Sequence, residues 1–309
     1  MKILIVTSVR NESLWLIEWI AYYRALGVEY FLIYTNDNTD YSTELFTHLA
    51  KLPYMEIRQN SVTDNESPQR TAFRQAFPRI MALNPDWVMC IDPDEYLHLK
   101  DRATLPDFLE SFEQCDAVAI NWRFFGSAGL KTREPGFTIE RFLRCSPRDF
   151  YLNRQFKTIF RPGNKITGFG PHRPWFKKDV LDNVRYVFPD EVILDESYRL
   201  GRDPILDDSA HTDFTRAQLN HYAIRSLAEY TVKQWRGNGN KPNQEKGHFS
   251  HTYYSIRDRN EEYDDSILKI LSAQKKHYLD IILSLELSGL IMAMESDFEN
   301  QCSSQQSDA

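Results

Sequence analysis

The sequence predicts an α/β fold built on a mostly parallel, doubly wound central sheet. The chain opens with a continuous apolar run over residues 1–9, which is typical of a buried parallel strand. Residues 14–27 repeat apolar side chains at helical spacing and stop at Gly27, and residues 29–34 form a second apolar strand. Because a strand, a helix and a strand follow one another, this opening segment is predicted to be a βαβ unit.

The alternation of elements continues along the chain. The pattern predicts helices over residues 41–49 and 68–83, and strands over residues 54–59, from residue 87, over 116–122 and over 156–161. Apolar residues at helical spacing within 267–294 predict one or two amphipathic helices. With 309 residues and 42% hydrophobic content, the chain can bury a large core as one α/β domain with a helical extension.

Three carboxylates follow the apolar strand that starts at residue 87. Asp92, Asp94 and Glu95 come at its end, and Pro93 stops the strand because it lacks a backbone N–H. Side chains two apart in an extended segment point to the same side, so Asp92 and Asp94 are expected to share one partner. A cation would offset their repulsion, and oxygen ligands suit Mn²⁺ or Mg²⁺. The alternative is an ordinary turn, in which Asp and Pro are common.

Two further polar loops follow the first two predicted strands. Arg10-Asn11-Glu12 comes after the first strand, and residues 36–40, Asn-Asp-Asn-Thr-Asp, come after the second. Ligands of open α/β sheets bind beyond the carboxyl ends of the strands, where all three loops are expected to lie. The alternative for residues 36–40 is a loop that caps the following helix.

With these loops the chain resembles glycosyltransferases of the GT-A type, close to the family 2 group and its relatives. Those proteins open with a KNE loop and carry NDSTD-like and DxDE loops, which here are Arg10-Asn11-Glu12, residues 36–40 and Asp92-Pro93-Asp94-Glu95. The three motifs occur in order and cover roughly the first third of the chain. The resemblance implies a Rossmann-like GT-A sheet flanked by helices and a metal-dependent enzyme with a nucleotide-sugar donor.

The resemblance also implies roles for individual residues. The first-loop positions that line the nucleotide cleft correspond to Ser8, Arg10 and Glu12. Asp37 corresponds to the acidic residue that recognises the base. Asp92 corresponds to the position near the ribose and the metal, and Asp94 to the direct metal ligand.

A later segment, His221-Tyr222-Ala-Ile-Arg225-Ser226, matches the HY.I(K/R)S segment of the related transferases. The match implies that His221 is a further ligand of Mn²⁺ and that Arg225 lies near the diphosphate. Ser226 also fits the N-cap of the following helix. Lys233, Arg236 and the glycine-rich residues 237–241 predict either a mobile basic flap that closes over the phosphates or a solvent-exposed helix end.

Residues 168–175 predict a rigid loop, because Pro171 and Pro174 fix the backbone on either side of His172 and Arg173. A histidine and an arginine held on a rigid loop favour binding of a diphosphate or an acidic acceptor, because arginine binds phosphate oxygens bidentately. The alternative is that His172 only caps a turn. An inverting transfer would also need a general base, which the pattern leaves unassigned among Glu134, Glu140, Asp190, Glu191, Asp195, Glu196, Asp207 and Asp208.

Composition excludes some classes of protein. The formal charge of −7 argues against nucleic-acid binding through a broadly basic surface. No apolar run reaches the roughly 18 residues of a membrane span. The four cysteines lack metal-type spacing and are expected to be reduced thiols of a cytoplasmic protein, working at the inner face of a membrane at most.

We expect four segments along the chain. Residues 1–122 form the nucleotide-sugar-binding half, residues 123–255 the acceptor half of the same domain, residues 256–300 a helical extension, and residues 301–309 a disordered tail. The helical extension is expected to pack on the domain or on a second copy as a homodimer. Peripheral membrane contact is less favoured, because few basic residues follow Lys276.

These observations predict transfer of a sugar from a nucleotide-linked donor, UDP-linked, to a glycan or other hydroxyl acceptor. The predicted transfer is inverting, in surface polysaccharide or glycoconjugate synthesis. One alternative is a metal-dependent phosphohydrolase or phosphotransferase, although the acidic pair follows a late strand and not the first. The other is a non-catalytic nucleotide- or glycan-binding protein with the same fold.

Overall fold

The computed structural model describes residues 1–62, 66–200, 202–236 and 250–306. The strands are β1 (Ile3–Val9), β2 (Tyr30–Thr35), β3 (Met55–Gln59), β4 (Trp87–Cys90), β5 (Glu95–Leu99), β6 (Ala117–Phe124), β7 (Arg144–Cys145), β8 (Phe156–Phe160), β9 (Ile166–Phe169), β10 (Pro174–Phe176), β11 (Tyr186–Val187), β12 (Ala217–His221) and β13 (Glu262–Tyr263).

The α-helices are α1 (Ser13–Ala25), α2 (Ser42–Leu49), α3 (Pro68–Leu83), α4 (Leu105–Glu110), α5 (Thr138–Arg141), α6 (Glu196–Arg199), α7 (Leu227–Arg236), α8 (His251–Arg257), α9 (Leu271–Leu285) and α10 (Ser288–Gln306). Short 3₁₀ helices span Tyr151–Arg154, Lys178–Asn183, Pro204–Leu206 and Ser266–Ile270.

The central sheet of the described chain has the strand order β3-β2-β1-β4-β8-β6-β12-β5, with β11 beside β6. The four strands β3, β2, β1 and β4 are parallel, and β6 is parallel to β12 and β11. Strand β8 is antiparallel to both β4 and β6, and β5 is antiparallel to β12. The prediction of a mostly parallel α/β sheet flanked by helices is therefore confirmed.

Strand β5 is an element that the sequence prediction missed. The apolar run from residue 87 breaks at Pro93 and Asp94, which form a turn, and resumes as β5 with all five residues buried. The acidic loop is therefore a tight connection between two strands. It directs β5 back along the far edge of the sheet, next to β12.

The first helix is buried on nearly every side, which explains its high content of large apolar residues. Its residues from Trp15 to Tyr23 are all buried, because the sheet covers one face and α9 covers another. The Gln274 side chain of α9 donates to the Glu18 carbonyl at 3.0 Å, and Ile281 lies in the same core. The expected packing of the helical extension on the domain is therefore observed.

The last helix reaches further than the sequence suggests. Helix α10 continues to Gln306, into the segment 301–309 that the sequence predicts to be disordered. Its Phe298 ring meets Trp15 of α1 edge to face, with the ring centroids 6.3 Å apart. No helix in the described part of the chain has the length and apolarity to cross a membrane. The cysteines are unpaired thiols, and Cys90 lies in β4 as predicted.

Candidate active site

The three predicted polar loops meet at one edge of the sheet. They follow β1, β2 and β4, which are adjacent and parallel, so their carboxyl ends lie side by side. The first two loops are tied together: Asn11 donates from its backbone to Asn38 at 3.1 Å and from its side chain to Thr39 at 2.9 Å. Asp40 accepts hydrogen bonds from Ser13 and thereby holds the start of α1.

Some residues of the second loop make contacts that hold the loop in place, whereas Asp37 is exposed to solvent. Asn38 and Thr39 hold the loops in place, and Asp40 accepts from the backbone N–H of Ser42 at the start of α2 at 2.9 Å. Asp37 is exposed and has a positive φ of 47°, and it accepts a hydrogen bond from the adjacent Asn36 amide at 2.8 Å. Asp37 therefore presents a carboxylate at the edge of the sheet, where a ligand can reach it.

The first-loop residues lie at the base of the same edge. Ser8 and Arg10 are half-buried, and Glu12 is buried. A carboxylate oxygen of Glu12 lies 3.9 Å from Arg225, which also donates to the Pro93 carbonyl at 3.2 Å. Arg225 therefore links the first loop to the acidic turn. This residue has a positive φ of 55°, and its guanidinium stacks on the ring of Trp15.

Asp92 is held by side chains from two other elements. Its Oδ1 accepts from Gln69 of α3 at 2.9 Å, and its Oδ2 pairs with Lys157 of β8 at 2.7 Å. Lys157 is almost fully buried and also lies 3.2 Å from Glu95. Glu95 accepts from the indole N–H of Trp122 at 2.8 Å. This network fixes the start of the acidic turn.

Asp94 faces a different set of partners. Its Oδ2 pairs with Lys233 of α7 at 2.6 Å, and its Oδ1 lies 3.7 Å from Nε2 of His221. Asp92 and Asp94 therefore have different partners among the described side chains, because the turn at Pro93 and Asp94 replaces the extended geometry assumed from the sequence. The expectation that the two carboxylates share a cation stays a prediction.

Helix α7 is anchored so that Lys233 points into this site. The Ser226 hydroxyl donates to Glu229 at 2.7 Å and accepts from the Glu229 backbone N–H at 3.3 Å, a capping interaction that confirms Ser226 as the N-cap. Glu229 also accepts two hydrogen bonds from Arg141 at 2.8 and 2.9 Å and one from Trp15 at 3.0 Å. Lys233 lies one turn later on the same face of the helix.

The pair combines a neutral imidazole with an ionised carboxylate. Burial is the main cause that lowers the pKa of His221 to about 3, although Asp94 acts in the opposite direction. The imidazole is therefore neutral and keeps a lone pair for a metal. Burial alone would raise the pKa of Asp94, but Lys233, His221 and Arg225 together hold it well below its usual range.

Asp94 Oδ1 and His221 Nε2 lie within the distance that two ligands of one divalent cation require. Because metal–ligand bonds are about 2.1 Å long, atoms 3.7 Å apart can bind the same ion. No group of three or more His, Cys, Asp or Glu side chains converges in the part of the chain that the structure describes. Two protein ligands are nevertheless usual for ions that take their other ligands from water and substrate phosphates.

The two remaining predicted site residues, His172 and Arg173, contact backbone carbonyl groups. His172 contacts the Phe156 carbonyl through Nδ1 at 3.1 Å, and its ring lies 5.2 Å from that of Trp122. Burial, with Lys157 nearby, lowers the pKa of His172 to about 3, so it brings no positive charge to a phosphate. Arg173 donates to the carbonyls of Tyr198 and Arg202 and thus holds a neighbouring loop.

Sequence reasoning missed several residues of this site. Lys157 is the one cation within the otherwise uncharged strand β8, which was an available signal. The ring of Trp122 lies 4.5 Å from that of His221 and shields it. Arg257 of α8 lies over the Phe124 ring and contributes positive charge near His221. Residues 237–241 of the predicted basic flap lie outside the described residues.

The fold is similar to several solved structures. S. aureus TarS 1–349 matches with a TM-score of 0.36 and 14% identity over 99% of this chain and 91% of that chain. The complex of TarS 1–349 with UDP matches with a TM-score of 0.35 and 14% identity over 81% of this chain and 68% of that chain. Glucosyl-3-phosphoglycerate synthase from Mycobacterium tuberculosis with Mn²⁺ and UDP-glucose matches with a TM-score of 0.28 and 17% identity over 39% and 43% of the two chains.

Sequence comparison points to a more specific family. A family 92 glycosyltransferase protein of Ricinus communis is 29% identical over 131 residues, 41% of this chain and 23% of that protein. A family 92 protein of Oryza sativa subsp. japonica is 31% identical over 106 residues, 34% of this chain and 18% of that protein. The matches thus span about a fifth of these relatives. The model of glycosyltransferase family 92 matches residues 6–267, and the chain therefore belongs to glycosyltransferase family 92.

Proposed function

We propose that this chain transfers a sugar from a UDP-linked donor to a hydroxyl group of a glycan acceptor, with Mn²⁺ or Mg²⁺ as cofactor. The observation that carries the proposal is the approach of Asp94 Oδ1 to His221 Nε2, 3.7 Å, at the edge where three polar loops meet. Membership of a glycosyltransferase family supports transfer over phosphate hydrolysis. The narrower resemblance to a family 2-like group stays a prediction.

The charges around the pair suit a diphosphate. Lys157, Lys233, Arg225 and Arg257 surround the acidic turn and His221 with positive charge. Asp94 and His221 would hold the cation, which stabilises the charge that develops on a diphosphate leaving group. The lysine and arginine side chains would bind the phosphate oxygens.

The loops would then bind the nucleoside. Asp37 presents an exposed carboxylate that can accept hydrogen bonds from a base, as the resemblance implies. Asp92, whose orientation Gln69 and Lys157 fix, would lie near the ribose and the metal, as the resemblance implies. Ser8, Arg10 and Glu12 would form the base of this cleft. We assign these roles as part of the proposal.

The candidates for a general base are the carboxylates near the acceptor side of the sheet. An inverting transfer needs a carboxylate near the acceptor hydroxyl. Several of the carboxylates considered from the sequence have structural partners: Glu140 with Lys275, Asp190 with His211, Asp207 with Tyr198, and Asp208 with Arg154. The choice of a surface polysaccharide or glycoconjugate as the product, made at the inner face of a membrane, rests on the sequence resemblance alone.

Calorimetric titration with UDP and with GDP, each with and without Mn²⁺, tests the donor site. We expect UDP binding that depends on Mn²⁺ in the wild-type protein and is lost in Asp94→Asn, which keeps the size of the side chain. Asp280→Asn, on the exposed surface of α9, is the matched control. Equal UDP binding by wild type and Asp94→Asn would contradict the proposed metal site.

A further inference from the structure

We infer that the indole ring of Trp122 stacks against the sugar of the nucleotide-sugar donor and holds that sugar beside the diphosphate. This inference rests on the proposed function and deepens it, because it names the side chain that binds the transferred sugar. The indole lies between the acidic turn and two histidines, His172 and His221. Its ring offers an apolar surface in a site whose other contacts are mostly charged.

The strand register places Trp122 at the edge of the sheet that carries the site. Strand β6 runs in the same direction as β4, because both are antiparallel to β8. Their carboxyl ends therefore lie at the same edge, where ligands of α/β sheets bind. Trp122 lies two residues before the end of β6, where its backbone N–H donates to the Gln155 carbonyl at 2.8 Å and Leu219 of β12 is its neighbour.

A hydrogen bond to the acidic turn fixes the orientation of the indole. Its Nε1–H donates to Glu95 Oε1 at 2.8 Å. The other oxygen of this carboxylate accepts from the backbone N–H of Asp92 at 2.8 Å, and Glu95 is fully buried. Because the ring is already held in place, a ligand that stacks on it has little side-chain entropy to overcome.

The indole keeps an exposed part although other rings surround it. Its ring neighbours, with centroids 5.7, 5.2 and 4.5 Å away, are Phe124, His172 and His221. Trp122 is nevertheless only half-buried, whereas Trp19 and Trp87 of the core are fully buried. A half-buried aromatic ring at the edge of a ligand site is the kind of apolar surface that lines binding pockets.

The position of the indole beside His221 points to the donor sugar as the ligand. His221 Nε2 faces Asp94 Oδ1 across 3.7 Å, where the cation and the diphosphate are proposed to bind. The donor sugar is bonded directly to that diphosphate, so it lies within reach of the ring that adjoins His221. A pyranose carries C–H groups on its faces, and an aromatic ring can cover them and remove apolar surface from water.

Trp175 provides a matched control for this ring. It is 55% exposed in β10, and its ring lies over Gly168 and Gly170 of the same hairpin. Within the described part of the chain, no hydrogen bond or ring contact joins it to the acidic turn or to His221. Its replacement by leucine therefore removes an exposed indole of the protein and leaves the surroundings of Trp122 in place.

Calorimetric titration of the full chain with UDP and with UDP-glucose, UDP-galactose and UDP-N-acetylglucosamine, all with Mn²⁺, tests the inference. We expect Trp122→Leu to bind at least one of these donors at least ~5-fold more weakly than wild type, and UDP less than ~2-fold more weakly. Trp122→Phe keeps an aromatic ring and should lose less affinity for that donor than Trp122→Leu. Trp175→Leu should resemble wild type. Equal weakening for UDP and the donors, or no weakening, would overturn the inference.

A second measurement does not depend on the folding of Trp122→Leu. In wild type labelled with 5-fluorotryptophan, the fluorine resonance of Trp122 is the one that Trp122→Phe lacks. With diamagnetic Mg²⁺ in place of Mn²⁺, we expect at least one of the three donors to shift this resonance further than UDP does, while the Trp175 resonance stays unchanged. If UDP binds with metal but no donor shifts the Trp122 resonance further, only this inference fails; if UDP does not bind, the proposed function fails as well.

Discussion

His221 shows how the surroundings of one residue prepare it for metal binding. The rings of Trp122 and Phe124 lie 4.5 and 4.8 Å from the imidazole and exclude water from it. The resulting burial keeps the ring neutral, although a carboxylate lies nearby. Its Nδ1 is buried without a hydrogen-bond partner among the described residues. Its Nε2 faces Asp94 Oδ1 at 3.7 Å.

Substitution of His221 by phenylalanine should distinguish the packing of the ring from its proposed coordination of a metal ion. The new ring keeps the contacts with Trp122 and Phe124 but has no nitrogen, so we expect the affinity for UDP in the presence of Mn²⁺ to fall at least ~10-fold. UDP binding without metal should change little. Calorimetry on His221→Phe and on the control His277→Phe, in α9, measures both effects. Wild-type affinity in His221→Phe would remove this residue from the metal site.

The individual site residues were only partly predictable. Asp94 and His221 come together as the resemblance implies, and the motif segments identified both. Their charge partners were not identified, because Lys233 is 139 positions from Asp94 and Lys157 is 65 positions from Asp92. Such contacts depend on the order of strands in the sheet. A local pattern carries no information about that order.

At the scale of elements, α7 connects the site to the core. Its N-cap, Ser226, was predictable, because a serine three positions before a glutamate is a common helix start. The further role of Glu229 was not, since its partners Arg141 and Trp15 come from other helices. Strand β5 was missed for a related reason: only its pairing with β12 distinguishes it from the end of the preceding apolar run.

Glu229 should make the stability of α7 dependent on pH. Burial alone would raise its pKa, but Arg141, Arg225 and Ser226 lower it to about 2. Because the folded pKa lies below the unfolded value of about 4.5, the ionised form stabilises the fold above pH 4.5 by ~3 kcal/mol. This stabilisation is lost as the pH falls from 4.5 towards 2.

Urea unfolding of wild type and Glu229→Gln across this range measures the effect. We expect the variant to be ~3 kcal/mol less stable at pH 7, because it cannot form the ion pair with Arg141. The difference between the two proteins should shrink as the pH falls towards 2, because the wild-type carboxyl group then becomes protonated. A difference that stays constant with pH would show that packing and not charge explains the loss.

At the scale of the whole molecule, the helical extension completes the core. The α/β class and the packing of the extension were predictable from periodicity, because buried strands and amphipathic helices have distinct patterns. The antiparallel insertion of β8 between β4 and β6 was not predictable, since pairing direction is not encoded in a single strand. It brings Lys157 to the acidic turn.

Two residues of α9 provide a matched test of this packing. Ile281 is 2% exposed in the main core, whereas Leu283, two positions later, is 72% exposed. We expect Ile281→Ala to reduce the free energy of unfolding by ~3 kcal/mol and Leu283→Ala by less than ~0.5 kcal/mol. Chemical unfolding at two protein concentrations measures both. A large, concentration-dependent loss in Leu283→Ala would instead support the predicted homodimer through these helices.

The central claim is that Asp94 belongs to the site where a nucleotide sugar reacts. Release of UDP from a panel of UDP-sugars, measured with Mn²⁺ and with a chelator, tests this claim most directly. We expect wild type and Asp280→Asn to release UDP with Mn²⁺ from at least one donor, and Asp94→Asn to release it more than ~100-fold more slowly. Equal release by Asp94→Asn, or UDP binding by wild type without any release, would contradict it.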